Sequence, residues 1–175
     1  MPLKKPKPVV EYRNYYLPSS FPVLLLTGSN WTISDIRSEN LHFHNCLEIG
    51  ICHSHDGTLE FYNGLSIPFS AGDITCIPRN IPHTTYSSPS YLFFDQRQLF
   101  RDILPPDFSF NMIHDDIHKY LIPNGASSRI PLLAQASIEE LSAEKPDHQL
   151  IKSYLFALYM EIIRFQDKYD VNYNV

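Results

Sequence analysis

Between Leu41 and His55 the chain reads LHFHNCLEIGICHSH, with four histidines, two cysteines and a glutamate in fifteen residues. Such groups bind divalent metals or carry protons. On an extended strand side chains alternate between faces, so His42, His44, Cys46 and Glu48 point one way and Leu41, Phe43, Leu47, Ile49 and Ile51 the other. Two imidazoles and a carboxylate on one face suit zinc, iron, manganese or nickel, and a further ligand is then wanted from a second strand. His83 fits that need. It follows a tight turn at Gly72-Asp73 and a bend from Pro78 to Pro82, in AGDITCIPRNIPHTTY. The same histidines have another use, hydrogen-bonding an organic ligand or satisfying one another. His53 and His55 flank the Asp56-Gly57 turn and read as solvent-facing residues near a hairpin tip. Cys46, Cys52 and Cys76 read as packing residues.

The elements that must position these groups are short. From Phe21 to about residue 96, runs rich in aromatic and β-branched residues are separated by Gly28-Ser29-Asn30, Asp56-Gly57, Asn63-Gly64 and Gly72-Asp73, which predicts many antiparallel strands in a sandwich or small barrel. Asp-Gly and Asn-Gly are the strongest hairpin signals, because a type I′ turn needs positive φ at both central residues. Residues 101–128, with Pro105-Pro106 and Asn124-Gly125, read as an irregular connection. Two helices follow within 129–175. The first carries Ile130, Leu133, Ala134, Ser137, Ile138 and Leu141 on one face. In the second, over 147–169, Asp147 is placed to cap the start. There Leu150, Tyr154, Leu158, Ile162, Phe165 and Tyr169 form one stripe, and Ile151, Leu155, Tyr159 and Ile163 a neighbouring one. So broad an apolar surface calls for a partner beyond the β core, such as the same helix of a second copy.

Composition narrows the class. The chain of 175 residues is long enough for one domain with a real core, and an aromatic share of 13% is incompatible with general disorder. A formal charge of −5 provides no electrostatic footprint for a nucleic-acid backbone. Three cysteines without a CxxC pair suggest neither a disulfide framework nor a zinc knuckle, and a reducing cytosol suits them. MPLKKPKPVV lacks the apolar stretch of a signal peptide, and no apolar run approaches a membrane span, so a cytoplasmic protein is expected. Its alternating Pro and Lys open residues 1–20, which read as a mobile arm ahead of the strands of 21–100.

The spacing His42-x-His44-x3-Glu48, followed by Gly72-x5-Pro78-x4-His83, resembles the two motifs of the cupin superfamily. The resemblance implies a mainly β fold: a cupin-type antiparallel β-barrel with two C-terminal helices packed outside, and His42, His44, Glu48 and His83 coordinating one divalent metal inside. The sequence departs from that pattern at Asn80, where the family usually has glycine, and in its late Gly57. Asn tolerates positive φ better than most residues, so the turn is kept. Tyr62 and Tyr86, with Phe69 and Trp31, are the aromatics that could stack on a sugar in such a barrel, each with ordinary core packing as its alternative role.

Taken over residues 20–169, the chain is similar to the N-terminal sensing domain of AraC-type bacterial transcription regulators, with YLFFDQRQLF as a strand entering an acidic loop. That resemblance implies a small-molecule effector and a homodimer formed through the helix 147–169. DNA would be contacted only through a C-terminal helix-turn-helix domain, and the chain is expected to stop before it. The competing class is a stand-alone metal-dependent cupin enzyme, a dioxygenase or sugar isomerase, with Asp73 or Tyr86 as its acid or base; a bare carbohydrate-binding module is a third.

Overall fold

The computed structural model describes residues 9–27, 41–53, 56–86, 90–110 and 117–172. Ten strands fall into two five-stranded sheets. The first contains β1 (Glu11–Arg13), β3 (His42–His44), β8 (His83–Tyr86), β5 (Gly57–Phe61) and β6 (Ser66–Phe69), in that spatial order. The second runs β10 (Leu121–Ile122), β7 (Ile74–Ile77), β4 (Leu47–Ile51), β9 (Ser90–Phe94) and β2 (Val23–Leu26), all antiparallel. The expected barrel takes the form of two facing sheets, and among the described residues no ladder joins them.

Burial explains why the strands read as they do. The second sheet is covered on both faces, so LEIGI, ITCI and SYLFF are buried at every position and show no alternation. Its outer face, with Leu47, Ile49, Ile51, Ile74, Cys76, Leu92 and Phe94, packs in one apolar layer with α2 (Arg129–Leu141) and α3 (His148–Asn172). From the helices come Ile130, Ala134 and Ile138, then Ile151, Leu155, Leu158, Tyr159 and Ile162. Fully burying one such side chain is worth roughly 1.5–3 kcal/mol, so this layer carries much of the stability. The first sheet buries one face only. Along β6, Ile67 and Phe69 turn inward while Ser66 and Pro68 turn out, with Pro68 on an edge strand where the missing N–H costs no ladder bond.

Several local readings hold and several change. Asp147 Oδ1 accepts from the backbone N–H of Gln149 and Leu150, the expected cap of α3. Both of its apolar stripes contribute to the buried layer, yet Leu150 is exposed. Asn63-Gly64 lies in the β5–β6 hairpin but not as the expected type I′ turn: Gly64 alone has positive φ, +80°, in a loop Tyr62-Asn63-Gly64 closed between Phe61 and Leu65, and Asn63 Oδ1 accepts from Leu65 N–H. Asp56-Gly57 does not turn a hairpin. β4 and β5 lie in different sheets, and Cys52 pairs its backbone with Gly72 and Asp73 while Gly57 opens a strand against Phe69.

The run from Leu41 to Ile51 is likewise two strands, broken by a bend at Asn45-Cys46 that carries the chain from one sheet to the other. Residues 11–13, inside the stretch read as a mobile arm, form β1. It pairs parallel with β3, against the all-antiparallel expectation. Within 101–128, β10 joins the second sheet. Directly after β9, Asp95 caps a short helix, α1 (Gln96–Leu99), by accepting from Arg97 and Gln98 N–H, and Asp115 and Asp116 of the expected acidic loop lie outside the described residues.

Candidate metal centre

The bend at Asn45-Cys46 is what assembles the site. It places His42 and His44 on the inner face of one sheet and Glu48 on the inner face of the other, four residues further along. His83 arrives from β8, where it stands directly opposite His42 in the ladder, and their rings lie 4.6 Å apart. The bend before it is pinned, because Asn80 N–H donates to the His44 carbonyl at 2.9 Å. Asn80 adopts φ 65°, the left-handed conformation for which the sequence offered Asn in place of glycine.

All four groups are buried, His44 and His83 completely. Glu48 Oε2 lies 3.0 Å from His44 Nε2 and 3.6 Å from His83 Nε2. Ligand atoms of His42, Glu48 and His83 all fall within 4.8 Å of one another, a span one ion could bridge. His44 touches Glu48 but stands outside that group of three, so the expected four-ligand set is brought together as three plus a neighbour.

Tautomers decide what this cluster can do. His44 Nδ1 lies 2.8 Å from the Cys46 carbonyl and His83 Nδ1 2.9 Å from the Ile81 carbonyl; a carbonyl only accepts, so each Nδ1 carries the proton. In the neutral rings both Nε2 atoms then present lone pairs towards a carboxylate. Neither Nε2 has a hydrogen-bond partner, nor do Glu48 Oε1 and His42 Nδ1, although all are buried. Lone pairs facing an anion in a dry interior repel unless a proton or a metal cation stands between them.

Burial pushes the Glu48 carboxyl up, but His83, with His44 beside it, outweighs burial and holds the group below the usual carboxylate range. Burial, helped by His83 and Arg13, lowers His42 to about 3. The donors are therefore an anionic carboxylate and a neutral imidazole at neutral pH, the forms that ligate a metal. The residues present fit a divalent ion.

Other candidates take lesser places. Tyr62 is in the turn after β5 and is 61% exposed, so it lines no interior wall. Phe69 is ordinary core with Leu59, Phe61 and Ile67. The side chains of Tyr86, Trp31 and His55 lie outside the described residues. His53, exposed, sits with Nε2 2.9 Å from the Ser90 hydroxyl. Burial raises the thiols of Cys46 and Cys52 to about 12 and that of Cys76 further, which leaves them as inert packing groups. Asp73 is committed to structure, its two oxygens accepting from Ser70 and Asn124 N–H.

Sequence reading missed the contribution of the first strand. The Asn45 side chain brackets Tyr15, accepting from its N–H at 2.9 Å and donating to its carbonyl at 3.1 Å. The Tyr15 ring is thereby held 5.8 Å from His44 and 4.3 Å from Phe93, roofing the cluster. Thr75, buried on the inner face of the second sheet, has a hydroxyl without a partner, and a Cβ at Gly50 would collide with it.

No protein-family model and no curated protein matches the chain. Among solved structures, protein NMB1881 from Neisseria meningitidis is similar over 43% of this chain and 72% of its own, with 18% identity and a TM-score of 0.30. The AraC-like transcriptional activator CuxR is similar over 70% of this chain, with 13% identity and a TM-score of 0.43; this chain spans 42% of its length. Among the described residues no helix is long and apolar enough to cross a membrane.

Proposed function

We propose that this chain is a small-molecule sensing unit of the AraC regulator type, acting in the cytoplasm. A ligand is taken up between its two sheets with the help of a divalent ion, zinc, nickel, iron or manganese, on His42, Glu48 and His83, with His44 against the carboxylate. The observation that carries this reading is the set of buried donor atoms left without partners where the two sheets meet. Support comes also from the sequence motif, whose four ligand positions are these residues.

An ion there supplies positive charge and open coordination positions to a ligand. The chain's own part is to hold the imidazoles in one tautomer, keep the carboxylate ionised and roof the site with Tyr15. Ligand binding then biases the packing of β1 and the pairing of α3 with a second copy, the step by which a regulator of this type would change how DNA-binding domains are presented. Asp73 supports a sensor over an enzyme: the carboxylate nearest to an acid or base role is spent on a turn.

Elemental analysis of protein purified without added metal tests the site. One equivalent of a divalent metal is expected, and at least a tenfold lower occupancy in His83→Ala. Undiminished occupancy in that variant would remove His83 from the site.

A further inference from the structure

We propose that Arg13 is the anion-recognising residue of this site and that the molecule it takes is a small carboxylate; the inference rests on the reading that the site binds a small molecule. The ladder between β1 and β3 sets Glu11 opposite His42, Tyr12 opposite Phe43 and Arg13 opposite His44. Residues opposed across neighbouring strands point to the same face of the sheet. Tyr12 and Phe43 do so on the outer face, with rings 5.1 Å apart. Glu11 and Arg13 therefore share the inner face with the histidines. Two residues on, the bracket from Asn45 to Tyr15 fixes the same segment a second time, so Arg13 is held on β1 from both sides.

The guanidinium is only loosely committed. Its ion-pair partner is Glu11 at 3.7 Å, a long contact to a side chain 45% exposed, whereas the Arg13 side chain is 23% exposed. Solvent-facing pairs of this kind contribute little. Tyr15, two residues further on, stands with its ring 5.8 Å from His44.

Charge then selects the ligand. A divalent ion against Glu48 leaves one excess positive charge, Arg13 adds a second and Glu11 removes one. The balance matches a monoanion; a neutral molecule gains nothing from it and a phosphate dianion overshoots it. A planar carboxylate also matches the two-pronged donor geometry of the guanidinium.

The test uses the zinc-loaded chain and three matched pairs of probes: glucuronate and glucose, galacturonate and galactose, lactate and propane-1,2-diol. Titration calorimetry should show at least one acid binding tenfold or more tightly than its neutral counterpart. Arg13→Gln should cost that acid at least tenfold, with zinc content and melting temperature unchanged, and Glu11→Gln should tighten it a few-fold. Equal binding of acid and neutral probe, undiminished binding by Arg13→Gln, tighter binding of inorganic phosphate, or no binding of any acid would each overturn the proposal. If the parent chain holds no zinc yet still prefers acids through Arg13, the metal assignment falls and this inference stands.

Discussion

Leu47, Ile49 and Ile51 look outward from β4 into the apolar layer beneath α2 and α3, while Glu48 looks inward at three imidazoles. On the outer face packing is continuous, and the one polar atom left without a partner is the Tyr159 hydroxyl among the described residues. Inward, Glu48 Oε1, His42 Nδ1 and two Nε2 atoms are buried and unpartnered within a few ångströms. A single strand thus divides its labour by parity: odd positions hold the fold together, and the even position faces buried imidazoles across a gap that a proton or a metal cation can bridge.

That division can be broken most severely from the outside. Leu155→Ala should empty a fully buried position and destabilise the protein by about 3 kcal/mol, read as a lower urea midpoint, with metal affinity retained once folded. Loss of metal affinity in the folded variant would mean the two faces are not separable.

The inner face should reveal itself through pH. In the metal-free protein His42 has its pKa depressed from 6.5 to about 3, so between those values the unfolded chain takes up a proton that the native chain refuses. Stability falls as pH drops below 6.5, by up to about 1.4 kcal/mol per pH unit for this one group. Glu48, also depressed, adds its own loss only below its ordinary 4.5. Across the window from 6.5 to 4.5 the Glu48 loss has not begun, so the His42 contribution is read there by comparing variants. His42→Gln should flatten the urea midpoint across it; an unchanged slope would exclude His42 as the source.

Glu48→Gln is the sharper comparison, though smaller in energy. Removing the buried charge should cost the metal-free fold about 1 kcal/mol, since a carboxyl held below its ordinary pKa is favoured by the fold in its ionised form, a loss partly offset because an amide can donate to an imidazole lone pair. Added metal should no longer raise its melting temperature. A large loss of metal-free stability would make the carboxylate structural. Smallest is the turn: Asn80→Ala should cost about 1 kcal/mol at φ 65°, and Asn80→Gly less, by thermal melting.

The common inward direction of His42, His44 and Glu48 was legible because its information is local. His42, His44 and Glu48 sit on one segment, and the bend at Asn45-Cys46 spans two residues, an even number, so the alternation survives the change of sheet. Asn80 was legible for a similar reason, since a left-handed turn demands one of a few residue types. Pairing between distant segments was not. Nothing in EYR announces a three-residue strand that finds β3 some thirty positions away, and Asp56-Gly57 has the same turn chemistry as Asn63-Gly64 yet joins strands of different sheets. Tyr62 was misplaced by composition; its position immediately before Asn63-Gly64 puts it at the hairpin tip.

The distribution of donors between walls has a mechanical consequence. All three imidazoles ride on the β3–β8 side and the lone carboxylate on the opposite one, connected by the short joint after His44. Relative sliding of the sheets leaves imidazole spacings untouched and alters only their separation from Glu48. The centre is thus a calliper set across the sandwich. Whatever shortens or lengthens that single gap reports on, and resists, the breathing of the whole molecule.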